Sequence, residues 1–313
     1  MKRFWYYILA LIIVAILAGL FDQKVVSIAS LNNLQRKITN PIKDKLKNGS
    51  LIFISVDKKF QILELKPDNS EKILFTDIDE KFKISKFTNE TINGKIALFT
   101  NENKLITVDF ANIGRVTNIS ETAPISTEFA LSPDSQTYAF VRFSNAERDF
   151  GYSLNLMDVK TSTVKELFKD DLSIENLKWI DQQTIMFIKD NNDVASYNIL
   201  KNEEINIFTA KKEDVIFDFG LNSDMMLLSQ GSILETGSSV YKMDKDGKNI
   251  NKIYTEKSGT IYDPTLSPDG KNIAYILSPE VSSNYKGYIY TIDMTGKDKQ
   301  KLEQANKIIL WNP

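Results

Sequence analysis

The sequence predicts an all-β fold: a six-bladed β-propeller closed by N- and C-terminal strands in one blade, preceded by a single N-terminal transmembrane helix. Three observations predict it. A strand–turn–strand unit recurs along the chain, the two ends of the repeat region each carry an incomplete unit, and the first residues hold a long run without charge. The repeat is clearest at Asp263–Asp293, where Thr265–Ser267 leads into the turn Ser267-Pro268-Asp269-Gly270, followed by the apolar strand Asn272–Leu277 and the alternating strand Gly287–Asp293. Pro268 presets φ for the first central position of a type I turn, Asp269 suits the second, and Gly270 accepts a positive φ. A further strand at about Lys299–Leu302 completes four short strands joined by tight turns, the content of one propeller blade.

The unit recurs at Leu131-Ser132-Pro133-Asp134-Ser135 before Thr137–Arg142, at Trp179-Ile180-Asp181 before Thr184–Lys189, and at Leu221-Asn222-Ser223-Asp224 before Met225–Ser229. Weaker copies precede Ile96–Thr100 and Leu51–Ser55. Second strands therefore start near 51, 95, 137, 184, 225 and 272, a period that matches four-stranded blades. One blade cannot bury both its faces, so such units stack. The first unit lacks a first strand, and the chain ends on Lys307–Pro313, which reads as a first strand without successors. Pairing Ile308–Trp311 with Leu51–Val56 would close the ring and leave no bare sheet edge.

Residues 1–24 are expected to form a transmembrane signal anchor. Lys2 and Arg3 precede Phe4–Phe21, which has no charge, and Trp5, Tyr6 and Tyr7 suit an interfacial belt. As a helix that run spans about 27 Å, enough for a bilayer core. A cleaved signal peptide ending near Ser27-Ile28-Ala29 is the competing reading. Residues 25–49 read as a helical stalk: Leu31, Leu34, Ile38, Ile42 and Leu46 follow helical spacing, interrupted at Asn40-Pro41. The propeller is assigned to residues 50–313.

Composition narrows the chemistry. The 313 residues are 42% hydrophobic and 26% charged, ordinary for a globular chain. Residues 1–48 carry eight Lys/Arg against two Asp/Glu, so the remainder is net acidic, and a nucleic-acid partner is not expected. Cysteine and histidine are absent, which excludes disulfides, thiol catalysis, a Cys/His zinc site and a histidine general base. No nucleophile elbow, phosphate-binding loop or dinucleotide fingerprint is present.

The pattern LSPDGKNIAYI…IYTIDMTGKDKQKL, Leu266 to Leu302, resembles the TolB-type, WD40-like propeller repeat of bacterial envelope proteins. LSPDSQTYAFV…LNLMDVKTSTVKEL agrees at the Ser-Pro-Asp turn and at the Asp ending the third strand, and Val240–Asn249 is a partial copy. The resemblance covers about Leu51–Pro313 and implies a propeller on the outer side of the cytoplasmic membrane, in envelope assembly or integrity. TolB-like proteins also carry an N-terminal α/β domain, for which Phe21–Asn48 is too short.

Two functions follow as expectations. One is a single-pass, membrane-anchored extracytoplasmic binding or scaffold module, which holds a protein or envelope polymer on one propeller face and touches the membrane through residues 4–21. The other is a carboxylate- or metal-dependent propeller hydrolase acting on lactones or glycans. No catalytic, cofactor or metal residue is assigned. Calcium at Asp244–Asn249 is the less favoured reading of a hairpin turn, because the distal bidentate Glu is missing. Asp134, Asp181, Asp224 and Asp269 read as turn caps, and Trp179 and Trp311 as core residues. The irregular stretches Ser144–Gly151, Gln230–Ser239 and Ser278–Lys286 are candidate projecting loops, with Asn284, Tyr285 and Lys286 as a possible binding loop.

Overall fold

The computed structural model describes residue 46 and residues 49–312, apart from the connecting segments 47–48 at the start and 57–58, 69, 77–83, 93–94, 101–103, 110–114, 121–125, 127, 146–149, 223–224, 233–235 and 280–285 within. The chain divides into two units, Met1–Asp44 and Lys45–Pro313; the expected anchor and most of the expected stalk lie outside the described residues.

The described residues form twenty-four strands. In chain order they are β1 (Ser50–Val56), β2 (Phe60–Leu65) and β3 (Glu71–Thr76); β4 (Ile84–Ile92), β5 (Lys95–Thr100), β6 (Leu105–Asp109) and β7 (Arg115–Ser120); β8 (Phe129–Leu131), β9 (Thr137–Ser144), β10 (Gly151–Asp158) and β11 (Val164–Asp170). They continue as β12 (Ile174–Trp179), β13 (Thr184–Lys189), β14 (Asp193–Asn198) and β15 (Glu203–Thr209); β16 (Asp214–Leu221), β17 (Met225–Ser232), β18 (Ser238–Asp244) and β19 (Asn251–Glu256). The last are β20 (Thr260–Leu266), β21 (Asn272–Ser278), β22 (Gly287–Asp293), β23 (Gln300–Ala305) and β24 (Lys307–Asn312). Each group makes one four-stranded antiparallel sheet, except that β24 pairs with β1 and completes the sheet β24-β1-β2-β3.

The expected fold class needs one correction, to the number of blades. Five sheets are contiguous blades built from four successive strands; the remaining sheet is a composite of both ends of the repeat region, so the self-contained blades number five rather than six. Counting second strands in the sequence overstates the blades, because β1 is a second strand with no first strand before it. Among the described residues there is also no helix, and none long and apolar enough to cross a membrane; the expected transmembrane helix falls on residues that are not described.

The second strands explain why the sheets stack. Successive side chains of a strand point to opposite faces, and a strand covered on both faces reads as a continuous apolar run. In β1, Leu51 and Phe53 enter one buried cluster while Ile52 and Ile54 enter another. In β13, Ile185 and Phe187 face the β8–β11 blade, and Met186 and Ile188 face the β16–β19 blade. In β21, Ala274 and Ile276 pack toward the composite sheet, and Ile273 and Tyr275 toward the β16–β19 blade. Each fully buried Leu, Ile or Phe contributes about 1.5–3 kcal/mol.

The turn Ser267–Gly270 forms as its residues dictate. Ser267 Oγ donates to Asp269 Oδ1 at 2.7 Å and accepts from the Asn272 amide at 2.9 Å, while Gly270 at φ 69° donates its amide to the Ser267 carbonyl. The Ser132 turn repeats every bond: Ser132 Oγ to Asp134 at 2.6 Å, the Thr137 amide to Ser132 Oγ at 2.9 Å, and Ser135 at φ 60° in the glycine's place. Trp179 and Trp311 are buried, and Leu46, the last apolar position of the expected stalk, is buried beside Trp311, Leu51 and Leu65.

Candidate functional site

The strands β24, β4, β8, β12, β16 and β20 form one edge of each sheet and pack against one another around the axis. Several of them carry a bulge. An extra residue interrupts pairing between Glu175 and Lys178 in β12, between Ile216 and Asp218 in β16, and between Tyr262 and Thr265 in β20; β24 has its extra residue at Ile309. Asn176 and Asp263 sit in these bulges with φ of 55° and 48°. A bulge leaves an amide without its ladder partner and re-aims nearby side chains.

Carboxylates from the neighbouring sheet satisfy those amides. Glu128 Oε2 accepts from the Asn176 amide at 2.8 Å, and Asp218 Oδ2 accepts from the Asp263 amide at 2.8 Å. Asp263 Oδ2 in turn accepts from the Ile308 amide at 3.0 Å. Between β12 and β16 the polarity reverses: Asn176 Nδ2 donates to the Phe217 carbonyl at 3.3 Å and Lys178 Nζ to the Phe219 carbonyl. Gly220 makes the approach of β16 to β20 possible, since a Cβ there would lie 1.8 Å from the Pro264 carbonyl oxygen.

The ring is densely charged. Lys178, Asp218, Asp263 and Lys307 are buried and Glu128 is partly buried. Lys307 Nζ lies 3.0 Å from Asp263 Oδ1, and Lys178 Nζ lies 3.7 Å from Asp218 Oδ1. Burial works against the charge on Lys307, but the carboxylates of Asp263, Asp218 and Glu128 outweigh it and hold its pKa above the ordinary lysine value. Burial pushes the Glu128 carboxyl up to about 7, with Glu175 and Asp218 adding to the rise and the Asn176 amide and Lys307 opposing it. Chemically, the ring can hold neighbouring sheets in register.

A second feature lies on the β9–β10 hairpin. Phe143 is 50% exposed and Phe150 56% exposed, and their rings meet edge to face at 5.7 Å. Phe143 also packs on Tyr152, its cross-strand partner, at 4.9 Å. Ser144–Gly151, like Gln230–Ser239 and Ser278–Lys286, joins the second strand of its blade to the third.

The residues named from sequence are placed as follows. Asn284 and Tyr285 lie outside the described residues; Lys286 is exposed and immediately precedes β22. Asp224 also lies outside them, whereas Asp134, Asp181 and Asp269 accept amides two residues on, from Gln136, Gln183 and Lys271. In the Asp244–Asn249 loop, the Gly247 amide donates to the Asp244 carbonyl at 3.0 Å, Asn249 Nδ2 to Asp244 Oδ2 at 2.6 Å, and Lys248 pairs with Asp246 at 2.6 Å. Among the described residues no group of three or more acidic side chains is arranged to hold a metal.

The axial residues Glu128, Asn176, Lys178, Asp218, Asp263 and Lys307 were not legible as a set. Their signal is a charge or amide in or next to a first strand, with Asp263 and Ile308 each 45 residues after the carboxylate that accepts from them.

No family model matches the chain, and no curated protein matches it. Solved structures do. TolB from Acinetobacter baumannii superposes with a TM-score of 0.62 at 15% identity, over 88% of this chain and 68% of that one. The nidogen/laminin complex gives 0.56 at 12% identity, over 85% of this chain and 100% of that one. Oligogalacturonate lyase in complex with manganese gives 0.55 at 10% identity, over 81% and 73%. At these identities the likeness is one of architecture: the chain folds as a TolB-like β-propeller.

Proposed function

We propose that the chain is a binding or scaffold module of the cell envelope, tethered to the cytoplasmic membrane through residues 4–21 with the propeller on the extracytoplasmic side. The observation that carries the binding reading is the exposed pair Phe143 and Phe150, seated on the half-buried Tyr152. Contiguous exposed aromatic surface is costly in water and marks interaction sites, and aromatic side chains dominate binding hot spots. The cluster flanks a loop between second and third strands, where a partner can approach without disturbing the ring. Likeness to TolB and to the propeller of a nidogen/laminin complex supports a protein partner.

The uncharged run Phe4–Phe21 supports the tether. A hydrolase or lyase reading draws on likeness to oligogalacturonate lyase bound to manganese. It has less support, because Asp218 and Asp263 each hold the amide of a neighbouring strand.

The test compares wild type with Phe143→Ser/Phe150→Ser in affinity capture from detergent-solubilised membranes. Partners lost in the variant, with thermal unfolding unchanged, support the reading; an identical partner set removes this cluster as the recognition surface. Protease protection of the propeller in intact spheroplasts would contradict the extracytoplasmic placement.

A further inference from the structure

The outer strand of each sheet is interrupted once. The register skips one apolar residue in five of them, Leu74 in β3, Ile119 in β7, Leu167 in β11, Ile207 in β15 and Ile253 in β19, and skips residues 302–303 in β23. A bulge takes its extra residue out of the ladder and re-aims it. Three of these bulges are aimed at the following blade. Leu167 packs in the cluster of Tyr197 and Ile199, Ile207 in that of Met243, and Ile253 in that of Met294.

The bulge backbone is engaged as well. The Ile207 carbonyl meets Gly247, in the turn between β18 and β19, so closely that a Cβ on the glycine would lie 2.0 Å from the oxygen. The Ile253 carbonyl meets Gly296, in the turn between β22 and β23, where a Cβ would lie 2.4 Å away. At the preceding seam a side chain makes the reach: the Tyr197 hydroxyl lies 3.4 Å from the Leu167 carbonyl and 2.6 Å from Asn202 Oδ1. Asn202 belongs to the turn between β14 and β15 and, like the two glycines, has a left-handed φ, at 56° beside 80° and 75°.

We propose that the turns following β14, β18 and β22 are couplings between blades: each seats on the outer bulge of the blade before it, and the two open together. The carboxylate–amide bonds join first strands at the axis, and these contacts join outer strands at the rim, so the blades from β8 to β23 are fastened at both radii. The glycines serve the close approach and not the backbone angle alone. Gly270 takes a similar φ of 69° in its own turn, yet a Cβ there would meet nothing nearer than Leu266 Cδ2 at 3.9 Å.

Alanine at the three glycines separates the two effects, since left-handed strain is common to all and the collision is not. The readout is amide hydrogen exchange on the full chain, corrected for intrinsic rates and for the change in global stability. Protection at residues 207–209 should fall about tenfold or more in Gly247→Ala, and at residues 253–256 likewise in Gly296→Ala. Gly270→Ala should change neither segment. Equal effects of all three substitutions, or losses confined to the substituted turn, overturn the coupling. Tyr197→Phe adds no collision and decides the matter if a glycine variant does not fold. Protection at residues 167–170 should then fall about threefold with β13 unchanged, and an unaltered β11 overturns the proposal.

Discussion

Asp263 holds Lys307 with one oxygen and the next amide of the same strand with the other: Oδ1 lies 3.0 Å from Lys307 Nζ, and Oδ2 accepts from Ile308 at 3.0 Å. One side chain of β20 thus fixes both the charge and the backbone of the closing strand. Removing one partner of a buried pair strands the other, at a cost of about 3–5 kcal/mol. Lys307→Met should destabilise by that amount in urea denaturation, and Asp263→Ala by at least as much because the Ile308 amide also loses its acceptor. Lys307→Met/Asp263→Asn should recover part of the loss. Additive losses in the double variant would show that the two residues do not act as a pair.

Ser135 stands where the homologous turn has Gly270. Both residues take a left-handed conformation, at φ 60° and 69°, and both donate an amide to the turn serine's carbonyl. A residue with a Cβ is strained there by about 1–2 kcal/mol, and glycine is not. Ser135→Gly should therefore raise stability by about 0.5–1 kcal/mol, the strain relief less the added freedom of the unfolded chain. A calorimetric midpoint at or below that of wild type would contradict this reading.

These two sites show what was legible in the sequence. The Ser-Pro-Asp turns announced themselves because every bond they need lies within six residues, Ser132–Thr137 and Ser267–Asn272. Second strands such as Ile273–Ile276 were legible because burial on both faces leaves an unbroken apolar run. The axial ring was not, because its bonds join residues more than forty positions apart and its bulges break the two-residue alternation. Outer strands such as β11 are largely exposed, and their pattern is correspondingly weak. The aromatic cluster depends on the pairing of Phe143 with Tyr152 across a hairpin, so the intervening stretch read only as an irregular loop.

Stability should peak in mildly acidic solution. Hydrogen bonds from Ser132, Thr161 and Thr295 side chains and from turn amides hold the carboxyls of Asp134, Asp158 and Asp293 below the ordinary value of 3.8. Groups lowered on folding stabilise above their unfolded pKa, and that contribution is lost as pH falls through the folded values. Glu128 acts with the opposite sign, losing its contribution as pH rises from 4.5 through about 7. The thermal midpoint should therefore be highest near about pH 5 and fall on both sides. Glu128→Gln should flatten the alkaline limb alone, while Asp293→Asn should reduce the acid limb. A wild-type midpoint that climbs steadily from pH 5 to 8 would contradict the assignment of Glu128.

Glu256 gathers three donors between the β16–β19 and β20–β23 blades. Its Oε1 accepts from Tyr275 at 3.0 Å, from Tyr254 at 3.2 Å and from Lys299 Nζ. The Lys299 ammonium lies 4.3 Å from the Tyr290 ring centroid, and Tyr290 stacks on Tyr275 at 5.9 Å. Burial and the neighbouring Glu256 raise the Tyr275 pKa, so the phenol remains a donor throughout the working pH range. Glu256→Ala leaves a largely buried tyrosine hydroxyl and a half-enclosed lysine without their acceptor, which should cost about 2–4 kcal/mol. Tyr275→Phe deletes a single donor and leaves Tyr254 and Lys299 on the carboxylate, so its cost should be about 1 kcal/mol. Because this clasp lies on the opposite side of β20 from the closing strand, Glu256→Ala should leave the exchange protection of β24 nearly unchanged relative to the global loss. Equal losses in the two tyrosine and glutamate variants, measured by urea denaturation, would show that the carboxylate is not the hub of the cluster.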